Sequence, residues 1–158
     1  MVLNKNKKIL LSLFLTSLIL IIFLLILIYQ KGTEKLQTGL LKINDKNINV
    51  EIVTTQVQQY QGLSNRISLC SDCGMLFIFP DKEVRKFVMR NMNFPLDIIF
   101  VSDNEIINIE KNLSPEGNEP ANLYQSLIPA DMVLELNGTY VERNNIKVGD
   151  KIIIENRN

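Results

Sequence analysis

Lys86-Phe87-Val88-Met89-Arg90-Asn91-Met92-Asn93-Phe94-Pro95-Leu96-Asp97-Ile98-Ile99-Phe100-Val101 places three polar residues, Arg90, Asn91 and Asp97, between two apolar runs. An ion beside a buried strand loses hydration unless it is paired or hydrogen-bonded, so these residues either tie the fold together or line a site. Pro95 biases the preceding residue toward extended backbone. The stretch therefore predicts strands over Val84 to Met89 and Leu96 to Val101, with a bend at Asn91-Met92-Asn93. Two readings of its ions stand. With Arg66, the residues Arg90, Asn91 and Asp97 would line a polar cleft that binds a carboxylate, a phosphate or sugar hydroxyls. Alternatively, Asp97 pairs with Arg90 or Arg66 and holds the bend before Pro95.

Working outward, alternation predicts a hairpin of Leu41 and Ile43 against Ile48, Val50 and Ile52, turned at Asn44-Asp45-Lys46-Asn47. Thr55 and Gln58 have capping-box spacing and predict a helix from Gln56 to about Leu63, with Val57, Tyr60 and Leu63 facing the core. Met75 to Pro80 is a continuous apolar run, as in a strand buried on both faces, and Asp81-Lys82-Glu83 reads as a charged turn. Ser102-Asp103-Asn104-Glu105 has hairpin chemistry, with Ile106 to Leu113 as the returning strand. Short strands follow at Tyr124 to Ile128 and Met132 to Leu136. Thr139 and Glu142 repeat the capping-box spacing before a helix from Tyr140 to about Asn144, and Ile152 to Glu155 closes the chain. The expected fold class is α+β and mostly β: a small antiparallel, barrel-like domain with two short helices, preceded by one transmembrane helix.

That leading helix is read from length and composition. Ile9 to Tyr29 carries no charge, and its 21 residues span about 30 Å as a helix, one bilayer core. Lys5, Lys7 and Lys8 precede it, so the expected arrangement is a cytoplasmic N-terminus over residues 1–8, a span over 9–30, a tether over 31–39 and an extracytoplasmic domain over 40–156. The run ends Ile26-Leu27-Ile28-Tyr29-Gln30-Lys31 without a small-residue cleavage pattern, which favours an uncleaved signal anchor over a cleaved leader.

With Lys5, Lys7, Lys8 and Lys31 set aside, the 17 basic residues fall to 13 against 17 acidic ones, so the domain is mildly acidic and nucleic acid is not an expected partner. The chain has no His, which removes Ser-His and Cys-His nucleophiles. Cys70-Ser71-Asp72-Cys73 is a candidate disulfide or redox pair, although it precedes an apolar strand rather than opening a helix. One Cys pair without His does not complete a metal site, and no cofactor is implied. Asp97 and Glu135 are the candidate pair for twin carboxylates of a glycosidase kind.

Several fragments in order resemble the DUF192 family of small bacterial and archaeal domains. They are Gln61-Gly62-Leu63 with Arg66, Gly74-Met75-Leu76-Phe77, Phe87-Val88-Met89-Arg90-Asn91, Pro95 to Phe100, Pro129-Ala130, Val133-Leu134-Glu135-Leu136 and Gly149-Asp150. The resemblance covers roughly Val50 to Ile154 and implies a compact β-rich barrel with short helices; it implies no activity. Val88 stands where the family commonly has Trp, and Arg90 where it often has Lys. The sequence thus reads as a membrane-anchored, non-catalytic binding or envelope-associated module for a small anionic or sugar-like ligand or an envelope component. The alternative is a thiol-dependent redox or other small-molecule enzyme using Cys70 and Cys73.

Overall fold

The computed structural model describes residues 4–31 and 36–156. The chain divides into two units, Met1–Lys35 and Leu36–Asn158. In the first, helix α1 (Lys5–Lys31) contains one stretch, Asn6–Ile26, long and apolar enough to cross a membrane. Two of its hydroxyls bond within the helix, Thr16 Oγ1 donating to the Leu13 carbonyl at 2.9 Å and Ser17 Oγ to that of Phe14 at 2.8 Å. Bonds of this kind let polar residues sit in an apolar helix without unpaired groups. Residues 32–35, part of the expected tether over 31–39, lie outside the described residues.

In the second unit, period-two alternation produces strands and Asx-rich pairs turn them. Strands β1 (Gln37–Ile43) and β2 (Lys46–Val53) form the expected hairpin, with Asn44 at φ 54°. Asp103 and Asn104, at φ 51° and 64°, turn β5 (Leu96–Ser102) into β6 (Glu105–Leu113). Consecutive left-handed residues match the twist of the flanking strands, and Asn and Asp adopt that conformation at least cost. Between the hairpins, α2 (Gln56–Gln61) carries the full capping box of Thr55 and Gln58. Helix α2 and its following loop return the chain so that β3 (Cys73–Glu83) pairs parallel to β2, the one departure from antiparallel order in this sheet, as a crossover connection permits.

With β8 (Ala130–Asn137) and β9 (Ile152–Asn156), the seven-stranded order is β6-β5-β8-β3-β2-β1-β9, curled into a half-barrel. Its edge strands meet at one corner, where the Ile106 and Ile152 amides donate to the Asp150 and Asn104 carbonyls at 2.9 and 2.8 Å. The mostly-β expectation holds. Several local expectations do not. Asp81 to Glu83 belongs to β3 rather than to a turn, after a register shift between Ile78 and Glu83 that accommodates Pro80, which has no amide to pair. Of the strand expected over Val84 to Met89, only β4 (Lys86–Phe87) forms, paired with the equally short β7 (Tyr124–Gln125).

The sheet buries a core on each face. The concave one gathers Leu41, Ile43, Val50, Leu76, Ile99, Leu134 and Tyr140, the last from α3 (Tyr140–Arg143). The other gathers Val53, Met75, Phe77, Ile98, Phe100 and Val133 beneath Leu63, Met89 and Met92 of the covering loops. In α2 only the chain just past its end, at Leu63, is buried; Val57 and Tyr60 are 81% and 72% exposed, because a six-residue helix rests on its C-terminal loop rather than on one face.

Asp97 binds these layers together. It is fully buried and meets neither Arg66 nor Arg90. Its Oδ1 accepts from the Asn112 and Thr139 amides at 2.7 and 3.1 Å, and its Oδ2 from the Val141 amide at 2.8 Å. A register shift between Leu96 and Ile98 leaves the Asn112 amide outside the β5–β6 ladder, and Asp97 takes it. Thr139, at φ 67°, caps nothing with its hydroxyl, so the expected second capping box does not form. Asp97 caps α3 instead. Asp97→Ala should therefore leave three amides unpaired and cost about 3–5 kcal/mol, seen as a lower urea midpoint at unchanged slope.

Candidate functional site

Alternation that sends Asp97 to the concave face sends its partners' neighbours to the other. Glu51, Met75, Glu135 and Ile98 stand side by side across β2, β3, β8 and β5 in register. Gly74 permits this approach: a Cβ there would lie 2.9 Å from the Glu135 carbonyl oxygen and 2.7 Å from a Leu136 methyl. Over the row lies a cleft of about 380 Å³ roofed by Gln59 to Ser64 and by Val84 to Val88, with Phe77, Phe79, Phe87 and Met92 as walls and Glu135 at its floor. Gly62, at φ 49° and ψ −136°, makes the roof turn, a conformation that a side chain disfavours strongly. The Phe87 ring meets Phe77 edge-on at 4.9 Å and Phe100 at 6.0 Å, which fixes the apolar wall.

Glu135 is 5% exposed and its Oε2 has no hydrogen-bond partner among the described residues. Burial pushes its carboxyl up to about 8, against the opposing attraction of Arg66. That attraction is the smaller of the two, and the Arg66 fork is bonded elsewhere, Nη1 donating to Glu51 Oε1 at 2.8 Å and Nη2 to Oε2. The same bond holds the Arg66 guanidinium above its ordinary range. At neutral pH the floor of the cleft is therefore a neutral carboxylic acid, able to donate one hydrogen bond and accept another.

The four residues expected to share a cleft are dispersed. Arg90 lines this one: its guanidinium lies 4.0 Å over the Tyr60 ring and donates to the Tyr60 carbonyl at 2.7 Å. Arg66 borders a second cavity, of about 420 Å³, with Glu51, Cys70 and Cys73. Asn91, at φ 51°, ties loops together through its backbone, accepting from the Asn65 amide at 2.8 Å. Asp97 opens onto the opposite face, so neither its proposed ion pair nor a twin-carboxylate arrangement with Glu135 exists. Glu135 lies in the cleft although it is not among the residues expected to line one. One carboxylate inside Met132-Val133-Leu134-Glu135-Leu136, a run apolar on both faces, was the available signal.

Cys70 and Cys73 form a disulfide, with Cα atoms 5.1 Å apart, where the loop enters β3. Asn137 Nδ2 donates to the Cys70 carbonyl at 2.8 Å and fixes that loop on β8. Among the described residues no group of three or more His, Cys, Asp or Glu residues is arranged to hold a metal ion.

A curled half-barrel whose outer face carries a loop-roofed cleft over a buried acid defines the class. The chain belongs to the DUF192 family, described as an "Uncharacterized ACR", whose model matches residues 39–154. A Sinorhizobium meliloti structure titled a "putative transcription regulator" is similar at 28% identity and TM-score 0.72, covering 78% of this chain and 98% of that one. A Novosphingobium aromaticivorans protein of unknown function is similar at 32% identity and TM-score 0.71, covering 77% of this chain and 88% of that one. No match was found among curated proteins.

Linkage gives the buried acid a measurable signature. Its folded value, about 8, exceeds the ordinary 4.5, so the folded state binds the extra proton and stability falls as pH rises between the two. Urea titrations should show the wild type losing a few kcal/mol from pH 5 to 9 through this group, whereas Glu135→Gln, neutral throughout, should lack that component and be the more stable protein at pH 9.

Proposed function

We propose that this protein is a membrane-anchored, extracytoplasmic binding module, and that its small ligand enters the cleft beneath α2 to reach Glu135. The observation that carries the reading is the unpartnered Oε2 of a buried carboxyl at the floor of a ligand-sized cavity. A buried polar atom left unpaired costs about 1–3 kcal/mol, and a site that a ligand completes recovers it. A cavity of this size, walled by aromatic rings with few polar groups, has the composition of small-molecule sites.

Binding is favoured over turnover by what surrounds the acid. Ser64, the aliphatic hydroxyl in the lining, donates to the Arg90 carbonyl at 2.8 Å and is thereby engaged in holding the roof. The Cys70–Cys73 disulfide borders the other cavity and takes no part in the lining. The outward orientation is supported by Lys7 and Lys8 at the start of α1, before its uncharged run, and by the disulfide itself, since oxidising compartments preserve such bonds.

Protease added to spheroplasts should digest residues beyond the membrane helix without lysis; protection until the membrane is broken would reverse the orientation. For the cleft, the full chain in lipid nanodiscs, carrying ¹³C-methyl methionine, should show the Met92 signal moving with aromatic fragments while Met132, in the concave core, stays still. Fragments that leave Met92 unmoved would remove the binding reading.

A further inference from the structure

We infer that the ligand is a small organic anion with an aromatic or apolar body, whose acid group hydrogen-bonds to the buried carboxyl of Glu135 at the floor of the cleft. The inference rests on the binding role proposed above and names the ligand class for that same cleft.

Three layers of the cavity point the same way. Its walls are rings and a thioether, Phe77, Phe79, Phe87 and Met92, which match an apolar body better than a sugar with a hydroxyl on every carbon. Its mouth is cationic. Arg85 is paired with Asp81 and lies 3.9 Å over Phe79, but Lys86 and Arg90 have no carboxylate partner among the described residues. Two uncompensated positive charges at the entrance raise the local concentration of anions and oppose an ammonium ligand. Its floor is Glu135, buried, with Oε2 unpartnered.

The charges facing that acid come from each surrounding element. Arg66 approaches from the loop after α2 and is bound to Glu51 of β2. Glu110 of β6 stands at the far end of the same row, beyond Ile98. Arg85, Lys86 and Arg90 stand in the lining with Tyr60 of α2. No cation forms an ion pair with Glu135 among the described residues, so the acid keeps its proton where a salt-bridged carboxylate would release it. In that state it offers an O–H to an incoming carboxylate, sulfonate or phosphate monoanion. Once ionised it offers no donor and repels the same ligand.

A matched series separates the alternatives: 3-phenylpropionate, 3-phenylpropan-1-ol and 3-phenylpropylamine share a body and differ in head group. Each is titrated into the full chain in nanodiscs, with Met92 as the reporter. The acid should bind best at pH 6.5 and about tenfold more weakly at pH 9, since only the protonated fraction is competent. Glu135→Gln, which retains a neutral donor, should bind it equally at both pH values, and its Met132 signal reports that it is folded. Preference for the amine or the alcohol would overturn the anion assignment while leaving the cleft a binding site. Acid binding that is equal at both pH values in the wild type would overturn the donor role of Glu135. A Met92 signal moved by none of the three would overturn the binding reading as well.

Discussion

Three backbone amides converging on the buried carboxylate of Asp97 are the constraint from which the rest of the domain follows. One amide belongs to the irregular edge of β6, and two to the turn into α3. By satisfying them, a side chain on β5 closes one end of the concave core and fixes the face that β5 presents there. Alternation then leaves Leu96 and Ile98 no choice but the opposite face, where they underlie the cleft. The ion that holds the concave core thus also sets the register of the site.

The two buried acids illustrate opposite solutions to the same desolvation cost. Asp97 is surrounded by donors and serves as a fastener. Glu135 is one position out of phase, opposite Ile98 rather than Asp97, and its Oε2 is given no donor. It escapes the cost by keeping its proton. A group in that condition is poorly suited to hold a fold together and well suited to meet something that arrives later. Arg66 could have neutralised it, but Glu51 captures that guanidinium with a two-pronged bond.

Local chemistry was legible in the chain. The hairpin turns at Asn44 and at Asp103-Asn104, the capping box at Thr55 and the apolar helix near the N-terminus each depend on residues within a few positions of one another. The same logic failed at Thr139, where an identical spacing produced no cap because a carboxylate 42 positions away reached the amides first. It failed for β4 too, since the backbone of Arg85 and Met89 is claimed by Ser126 and Glu116 from other loops. The cleft was the least legible part. Its roof, walls and floor come from α2, the β3–β4 stretch and β8, three segments well separated along the chain.

The chain by itself determined its membrane-length helix, its mostly-β character, its turns and its family, because periodicity, turn preference and motif order act over short separations. Tertiary structure alone decided which ions meet: Asp97 with amides, Arg66 with Glu51, Arg90 with the Tyr60 ring, and Glu135 without a partner for its Oε2. The reason is that pairing across a sheet turns on register and face, and a shift of one residue reverses both.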